Sequence, residues 1–154
     1  MLPVGTLSPS SISVADPASS KKRVLEQAAR LLAANAEEPA AELIFERLLE
    51  RERLGSTGLV GGVALPHARI PGIQESRGAF LRLAEPVAFD ALDDQPVDLV
   101  FALLVPEDAT AQHLQLLAEL AGMFNEGALR EQLREADAEE AMALLAGKSG
   151  THAA

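Results

Sequence analysis

Apolar residues recur at helical spacing in the first third of the chain. Ser19 or Ser20 can cap a first helix that runs to about Ala36, with an apolar face of Val24, Ala28, Leu31 and Leu32. A second helix is predicted over 39–54, with Pro39 in its first turn, Gly55 at its end and an inward face of Leu43, Ile44, Phe45 and Leu48. The segment 1–18 is rich in Ser and Pro and predicts an extended lead-in with room for a short strand.

The pattern changes to that of strands in the middle of the chain. A short strand is predicted at 63–65 and a second strand at 78–83, while the almost continuously apolar run 97–105 is typical of a central strand covered on both faces. Helices follow at 110–124, 128–135 and 138–145. This order predicts a single α/β or α+β domain with one sheet, over 19–146, followed by a disordered tail, 147–154.

Composition and charge narrow the range of functions. The chain has 154 residues, a formal net charge of −10 and no Cys. The negative charge argues against nucleic acid and anionic membranes as partners, and the lack of Cys excludes disulfides, thiolate nucleophiles and zinc fingers. No apolar run reaches the ~20 residues of a membrane span, and the first residues do not resemble a signal peptide. We therefore expect a cytoplasmic protein.

The charge is unevenly distributed along the sequence. Residues 1–84 hold ten basic and nine acidic residues, whereas residues 85–154 hold three basic and fourteen acidic residues. An anion site is therefore predicted to take its positive charge from the first half of the chain.

A glycine-rich segment precedes the strongest candidate for chemistry. The segment 55–62 reads GSTGLVGG, which predicts a loop with unusual backbone angles or a close approach to a neighbour. His67 follows Pro66 just after the predicted short strand. A neutral imidazole nitrogen is a good nucleophile near neutral pH, so a firmly held His67 is a candidate nucleophile. A surface histidine without a role fits the spacing equally well.

Other candidates could support an anion near this loop. His113 lies in the first turn of the predicted helix 110–124, where a neutral imidazole could donate to a phosphate; a core histidine bonded to a backbone carbonyl is the commoner reason for such a position. Arg51, Ser56 and Thr57 could bind phosphate, although cations are favoured at helix ends and hydroxyls in turns in any case. His152 lies in the predicted tail and is given no role.

Two longer strings resemble a known family. RERLGSTGLVGGVALPHARIPG and FDALDDQPVDLVFALLVPEDATAQHLQLLAELA are similar to the IIA component of the phosphoenolpyruvate-dependent sugar phosphotransferase system, in its fructose/mannitol class and especially the nitrogen-regulatory branch. The resemblance covers roughly 19–145. It implies a mixed, mainly parallel β-sheet flanked by helices on both faces. It also implies a phosphorylated histidine at His67, a supporting histidine at His113 and, at Arg51, the family's arginine before the glycine loop, with no metal or other cofactor.

The resemblance has departures and leaves three functions open; the mildest departure is Ala68, which stands where Gly is frequent. The family usually reads Gly-x-Gly-Asn-Gly before the strand, whereas Val60 and Gly61 stand here at the second Gly and the Asn. The first hypothesis is a regulator phosphorylated by an HPr-like phosphocarrier protein, whose phosphorylation state changes which target proteins it binds. The second is a sugar-specific IIA that passes phosphate to a IIB domain. The third is a non-catalytic anion sensor.

Overall fold

The computed structural model describes residues 5–34, 36–109 and 111–147, and for 112–114 and 147 the backbone alone. The strands are β1 (Ile12–Asp16), β2 (Val63–Ala64), β3 (His67–Ile70), β4 (Arg77–Val87) and β5 (Val97–Pro106). The helices are α1 (Lys21–Ala33), α2 (Ala41–Leu54), α3 (Ala111–Phe124), α4 (Gly127–Glu135) and α5 (Ala138–Met142). A 3₁₀ turn, Pro9–Ser11, precedes β1, and a π turn, Ala143–Gly147, follows α5.

One five-stranded sheet organises the chain around β5. On one side β5 pairs with β4 in antiparallel fashion, and β4 pairs with β1 in parallel. On its other side β5 pairs in parallel first with β2 and then with β3. Three of these four pairings are parallel, so the predicted mixed, mainly parallel sheet is confirmed.

Successive residues of β5 face two separate hydrophobic cores, because side chains alternate across a strand. Val100, Ala102 and Leu104 pack with α1 and α2, while Leu99, Phe101 and Leu103 pack with α3, α4 and α5. Helices therefore cover both faces of the sheet, as predicted. No helix in the described ranges is long and apolar enough to cross a membrane.

The predicted helices form, with shifted ends. The Ser20 side chain accepts a hydrogen bond from the Arg23 N–H at 3.1 Å, which confirms Ser20 as the cap of α1. Pro39, however, lies outside α2, because the backbone of Ala40 is extended and the helix begins only at Ala41. The predicted helix 138–145 is the α-helix α5 continued by the π turn. In α3, Leu120 and Phe124 are buried.

The largest difference from the predicted strands concerns His67. The sequence suggested that the chain leaves the sheet at Pro66 and His67, yet His67 is the first residue of β3 and lies opposite Leu103. Pro66 has no N–H and so cannot donate to the ladder, but its carbonyl accepts from the Leu103 N–H at 2.9 Å. The interruption covers only Leu65 and Pro66, and pairing with β5 resumes at His67. The lead-in likewise contributes β1 to the sheet.

Candidate functional site

The imidazole of His67 is held in one tautomer by the backbone just before it. Its Nδ1 lies 2.8 Å from the carbonyl oxygen of Leu65. A carbonyl oxygen only accepts hydrogen bonds, so Nδ1 must carry the proton and donate. The other ring nitrogen, Nε2, therefore carries the lone pair while the ring is neutral.

The surroundings of His67 favour this neutral form. Partial burial, which disfavours the charged imidazolium, is the largest influence and lowers the pKa of His67 below its usual value. The hydrogen bond to Leu65 acts in the opposite direction, the positive charge of Arg51 lowers the pKa further, and the negative charge of Glu52 raises it. The net effect is a lowered pKa, so the ring is neutral near pH 7.

The lowered pKa of His67 predicts how stability depends on pH. An unfolded histidine has a pKa of about 6.5, so above that pH the ring is neutral in both states and adds no slope. Below it the unfolded chain binds a proton that the folded ring does not, so the free energy of unfolding falls until the pH passes the lower, folded pKa. We expect the wild type to lose more stability than His67→Gln between about pH 7 and about pH 5 in urea unfolding. Equal losses would contradict this.

A cationic cleft of about 420 Å³ opens beside His67. It is lined by Arg47, Glu50, Arg51, Leu54, His67, Ala68 and Arg69. Arg51 donates from Nη1 to the carbonyl oxygen of Gly55 at 2.9 Å, which fixes the guanidinium at the start of the glycine-rich segment 55–62, the glycine loop. All three arginines belong to the first half of the chain, where the charge distribution predicted that an anion site would find its positive charge. At its rim Leu54 is 85% exposed and offers an apolar contact surface.

Ser56 and Thr57 lie at the start of the glycine loop with their hydroxyl hydrogens already donated. Ser56 Oγ donates to the carbonyl oxygen of Phe89 at 2.6 Å and accepts from the Gly58 N–H. Thr57 is buried, and its hydroxyl donates to Glu52 Oε2 at 2.6 Å. Phosphate binding by these two residues stays a prediction, and it would require both hydroxyls to give up these bonds.

The second predicted histidine cannot be placed beside the first. The backbone of His113 lies near the start of α3, but its side chain lies outside the described residues. The support that His113 would give to His67 stays a prediction. His152 also lies outside the described residues. The described part of the chain contains no group of three or more His, Cys, Asp and Glu side chains placed to hold a metal ion.

Sequence reasoning missed a buried acid beneath the loop. Glu52 is 7% exposed and accepts hydrogen bonds from both the backbone N–H and the hydroxyl of Thr57. A signal was present, because Ile44, Leu48 and Glu52 are spaced by four residues and share the buried face of α2. An acid that continues an apolar stripe must be paired inside the protein.

The end of the glycine loop, where the sequence departs from the family pattern, is held by its backbone. Gly61 and Gly62 have φ angles of 79° and 81°, a region that favours glycine. The Gly61 N–H donates to Asp93 Oδ2 at 3.1 Å, and its carbonyl accepts from Arg134 Nη2 at 2.6 Å. A Cβ added to Gly61 would lie 2.7 Å from Arg130 Nε, so no side chain fits there without a shift. Val60, in contrast, is 46% exposed.

The comparisons with known proteins all indicate the same protein family. A family model described as "Phosphoenolpyruvate-dependent sugar phosphotransferase system, EIIA 2" matches residues 6–147. A "Nitrogen regulatory protein" of Pseudomonas aeruginosa is 52% identical over 126 residues, which cover 82% of each chain. A fructose-specific EIIA component of Haloferax volcanii is 33% identical over 129 residues, 84% of each chain. The crystal structure of the nitrogen regulatory protein IIA-Ntr from Neisseria meningitidis superposes with a TM-score of 0.85 at 46% identity, covering 91% of this chain and 96% of that one.

Proposed function

The chain belongs to the EIIA type 2 family of the phosphoenolpyruvate-dependent sugar phosphotransferase system, and on that basis we propose that Nε2 of His67 accepts a phosphoryl group from a phosphohistidine on an HPr-like carrier protein. The single observation that carries the proposal is the hydrogen bond from His67 Nδ1 to the Leu65 carbonyl. It places the proton on one ring nitrogen and the lone pair on the other. The nucleophile therefore needs no base to remove a proton.

The transfer balances without a cofactor. The Nε2 lone pair forms a bond to phosphorus, the bond between phosphorus and the carrier imidazole breaks, and its electron pair returns to the carrier nitrogen. No proton leaves His67, so its ring becomes an imidazolium that bears the phosphoryl group on Nε2. The Nδ1–H donor is then charged, which strengthens its hydrogen bond to the Leu65 carbonyl.

The cleft supplies the charge that the transferred group needs. Catalysis of phosphoryl transfer is mostly positioning and stabilisation of negative charge on the three phosphoryl oxygens. Arg51 lies against the glycine loop, and Arg47 and Arg69 complete the cationic wall. A guanidinium carries several N–H donors in one plane, so Arg51 can bind an oxygen while it keeps its bond to Gly55. We propose that His113 adds a further donor from α3, as the family resemblance implies.

The role that fits the relatives is regulation. The relative with 52% identity is a nitrogen regulatory protein, whereas the sugar-specific relative is only 33% identical. A phosphoryl group adds nearly two negative charges to the cationic face around His67, which can change the partner that binds there. Residues 85–154 hold fourteen acidic and three basic residues, and we propose that this surplus complements a basic patch on the carrier. We therefore propose a regulator of target proteins in a nitrogen-type phosphotransferase system.

Mass spectrometry after phosphorylation tests this function. The full chain is incubated with phosphoenolpyruvate, the first phosphotransferase of the system and an HPr-like carrier. We expect the mass of one phosphoryl group, stable in alkali and lost in acid, on His67, with a phosphorus coupling to Nε2 in the ¹⁵N-labelled protein. No mass gain would favour the anion sensor, and attachment at Nδ1 would contradict the tautomer argument. Rapid onward transfer to an added IIB domain would favour the sugar-specific alternative.

A further inference from the structure

Glu52 is an ionisable group that the transfer chemistry does not use, although it lies directly beneath the site. Its side chain is only 4% exposed at the last turn of α2. Burial of an isolated carboxylate is costly, so the groups around it must satisfy its oxygens. Three donors do so, one from α1 and two from the glycine loop.

The three donors hold both carboxylate oxygens of Glu52. Oε1 accepts from the Thr57 N–H at 2.9 Å and lies 2.9 Å from Lys21 Nζ. Oε2 accepts from the Thr57 hydroxyl at 2.6 Å. Lys21 is itself fixed, since its ammonium lies 5.0 Å from the ring centroid of Phe89 and 3.4 Å from Asp90 Oδ2. The position of Thr57 is therefore determined at both its N–H and its hydroxyl.

Two further hydrogen bonds connect Thr57 to the imidazole. The carbonyl oxygen of Thr57 accepts from the Leu65 N–H at 3.0 Å, and the Leu65 carbonyl accepts from His67 Nδ1 at 2.8 Å. Thr57 and Leu65 each donate through the backbone N–H and accept through the carbonyl oxygen, so the bonds hold the glycine loop and the segment before His67 in a fixed relative position. The chain Glu52–Thr57–Leu65–His67 runs from a buried negative charge to the proton on the ring.

We propose that Glu52 is a positioning residue that fixes, through Thr57 and Leu65, the tautomer of His67 that presents the Nε2 lone pair to the cleft. This role rests on the proposed phosphorylation of His67. Glu52 is not among the residues that line the cleft, and it is connected to the ring through Thr57 and Leu65. It holds the glycine loop in the position in which the Leu65 carbonyl accepts a hydrogen bond from His67 Nδ1.

The substitution Glu52→Gln separates this role from simple filling of space. Gln has nearly the same shape but only one side-chain oxygen, so it cannot accept from both donors of Thr57 in the same way. Its NH₂ group would face either Lys21 and the Thr57 N–H, which only donate, or the Thr57 hydroxyl, which would then have to turn from donor to acceptor. Lys21 keeps Asp90 as a partner at 3.4 Å, which leaves its charge compensated.

The test measures the tautomer and the transfer rate separately. In ¹⁵N-labelled protein above the pKa of His67, the nitrogen shifts report which ring nitrogen carries the proton. We expect Nδ1–H in the wild type, a measurable share of Nε2–H in Glu52→Gln, and a fall of about tenfold in phosphoryl uptake, the size of one lost hydrogen bond. Glu46→Gln is the matched control, an identical change at an exposed position of the same helix, and keeps both values.

Each result has a distinct meaning. Unchanged nitrogen shifts and uptake in a folded Glu52→Gln protein would overturn the positioning role, even if the wild type is phosphorylated on His67. Absence of phosphorylation in the wild type would instead overturn the proposed function, while a tautomer shift in the variant would still support the hydrogen-bonded chain. If Glu52→Gln fails to fold, Thr57→Val decides. It removes one bond to Glu52 and keeps the backbone ones, so a smaller tautomer shift supports the role and no shift refutes it.

Discussion

The His67→Gln variant is expected to take up no measurable phosphoryl group from the carrier, a loss of at least about a thousandfold in rate. An amide nitrogen has its lone pair delocalised into the carbonyl and does not attack phosphorus. The other side chains that line the cleft are guanidinium groups, a carboxylate and alkyl groups, which cannot form a phosphohistidine in its place. Uptake is measured by intact mass at increasing times after the carrier is added.

The fold should survive this substitution. His67 is only partly buried at the first residue of β3, and glutamine is a polar side chain of similar size. We expect cooperative unfolding with a free energy within about 1 kcal/mol of the wild type at pH 7. His152→Gln serves as the control and should be phosphorylated at the wild-type rate. Persistent labelling of a folded His67→Gln protein would place the acceptor elsewhere, with His113 the first position to examine.

The Phe101→Ala variant is expected to lose about 3–5 kcal/mol of unfolding free energy. Phe101 is completely buried at the middle of β5. Its ring fills the space above Gly78, where an added Cβ would come within 2.8 Å of the ring, and its centroid lies 6.0 Å from that of Phe124. Backbone pairing fixes both β4 and β5, so the cavity cannot close easily. A domain is usually stable by only about 5–15 kcal/mol, so this one change would leave the chain close to unfolding.

Phe45→Ala is the matched control for this effect. Phe45 makes the same change in volume, but it lies partly exposed on α2 at the border of the opposite core. Urea unfolding followed by far-UV circular dichroism should show a much smaller loss for Phe45→Ala. Similar losses for the two variants would mean that the core between β5 and α3 is not the main source of stability.

The elements that the sequence predicted well are those whose pattern is set by local contacts and burial. β5 is a continuous apolar run because both its faces are covered, and burial on both faces leaves no room for polar positions. α1 has both a cap residue and a clear apolar stripe. The predicted start of α2 was wrong by two residues, at Pro39 rather than Ala41, because helix ends depend on local backbone geometry that several sequences satisfy.

The site was predicted less completely, because its most important contacts involve backbone groups or join residues that lie far apart in the sequence. His67 could be singled out by its residue type and its neighbours. The hydrogen bond that selects its tautomer is made by a backbone carbonyl, which any residue at position 65 could provide. Glu52 lies between two arginines in the sequence, and a run of charged residues like this one is typical of a solvent-exposed helix end. Only its spacing from Ile44 and Leu48 indicates that it is buried. That Thr57 is its hydrogen-bond partner can be seen only in the folded loop.

The hydrogen bonds to the Gly61 backbone have a consequence for which sequence changes this loop tolerates. Arg134 lies 73 positions away from Gly61 along the chain, yet it donates to the Gly61 carbonyl while its guanidinium also binds Asp98 through two hydrogen bonds. Arg82 in turn donates to the carbonyl of Arg134 and ties the end of α4 to the sheet. The shape of the loop is thus specified from outside its own sequence. Divergence at Val60 can be silent, whereas a substitution on α4, far from His67 in the chain order, can reshape the loop that precedes His67.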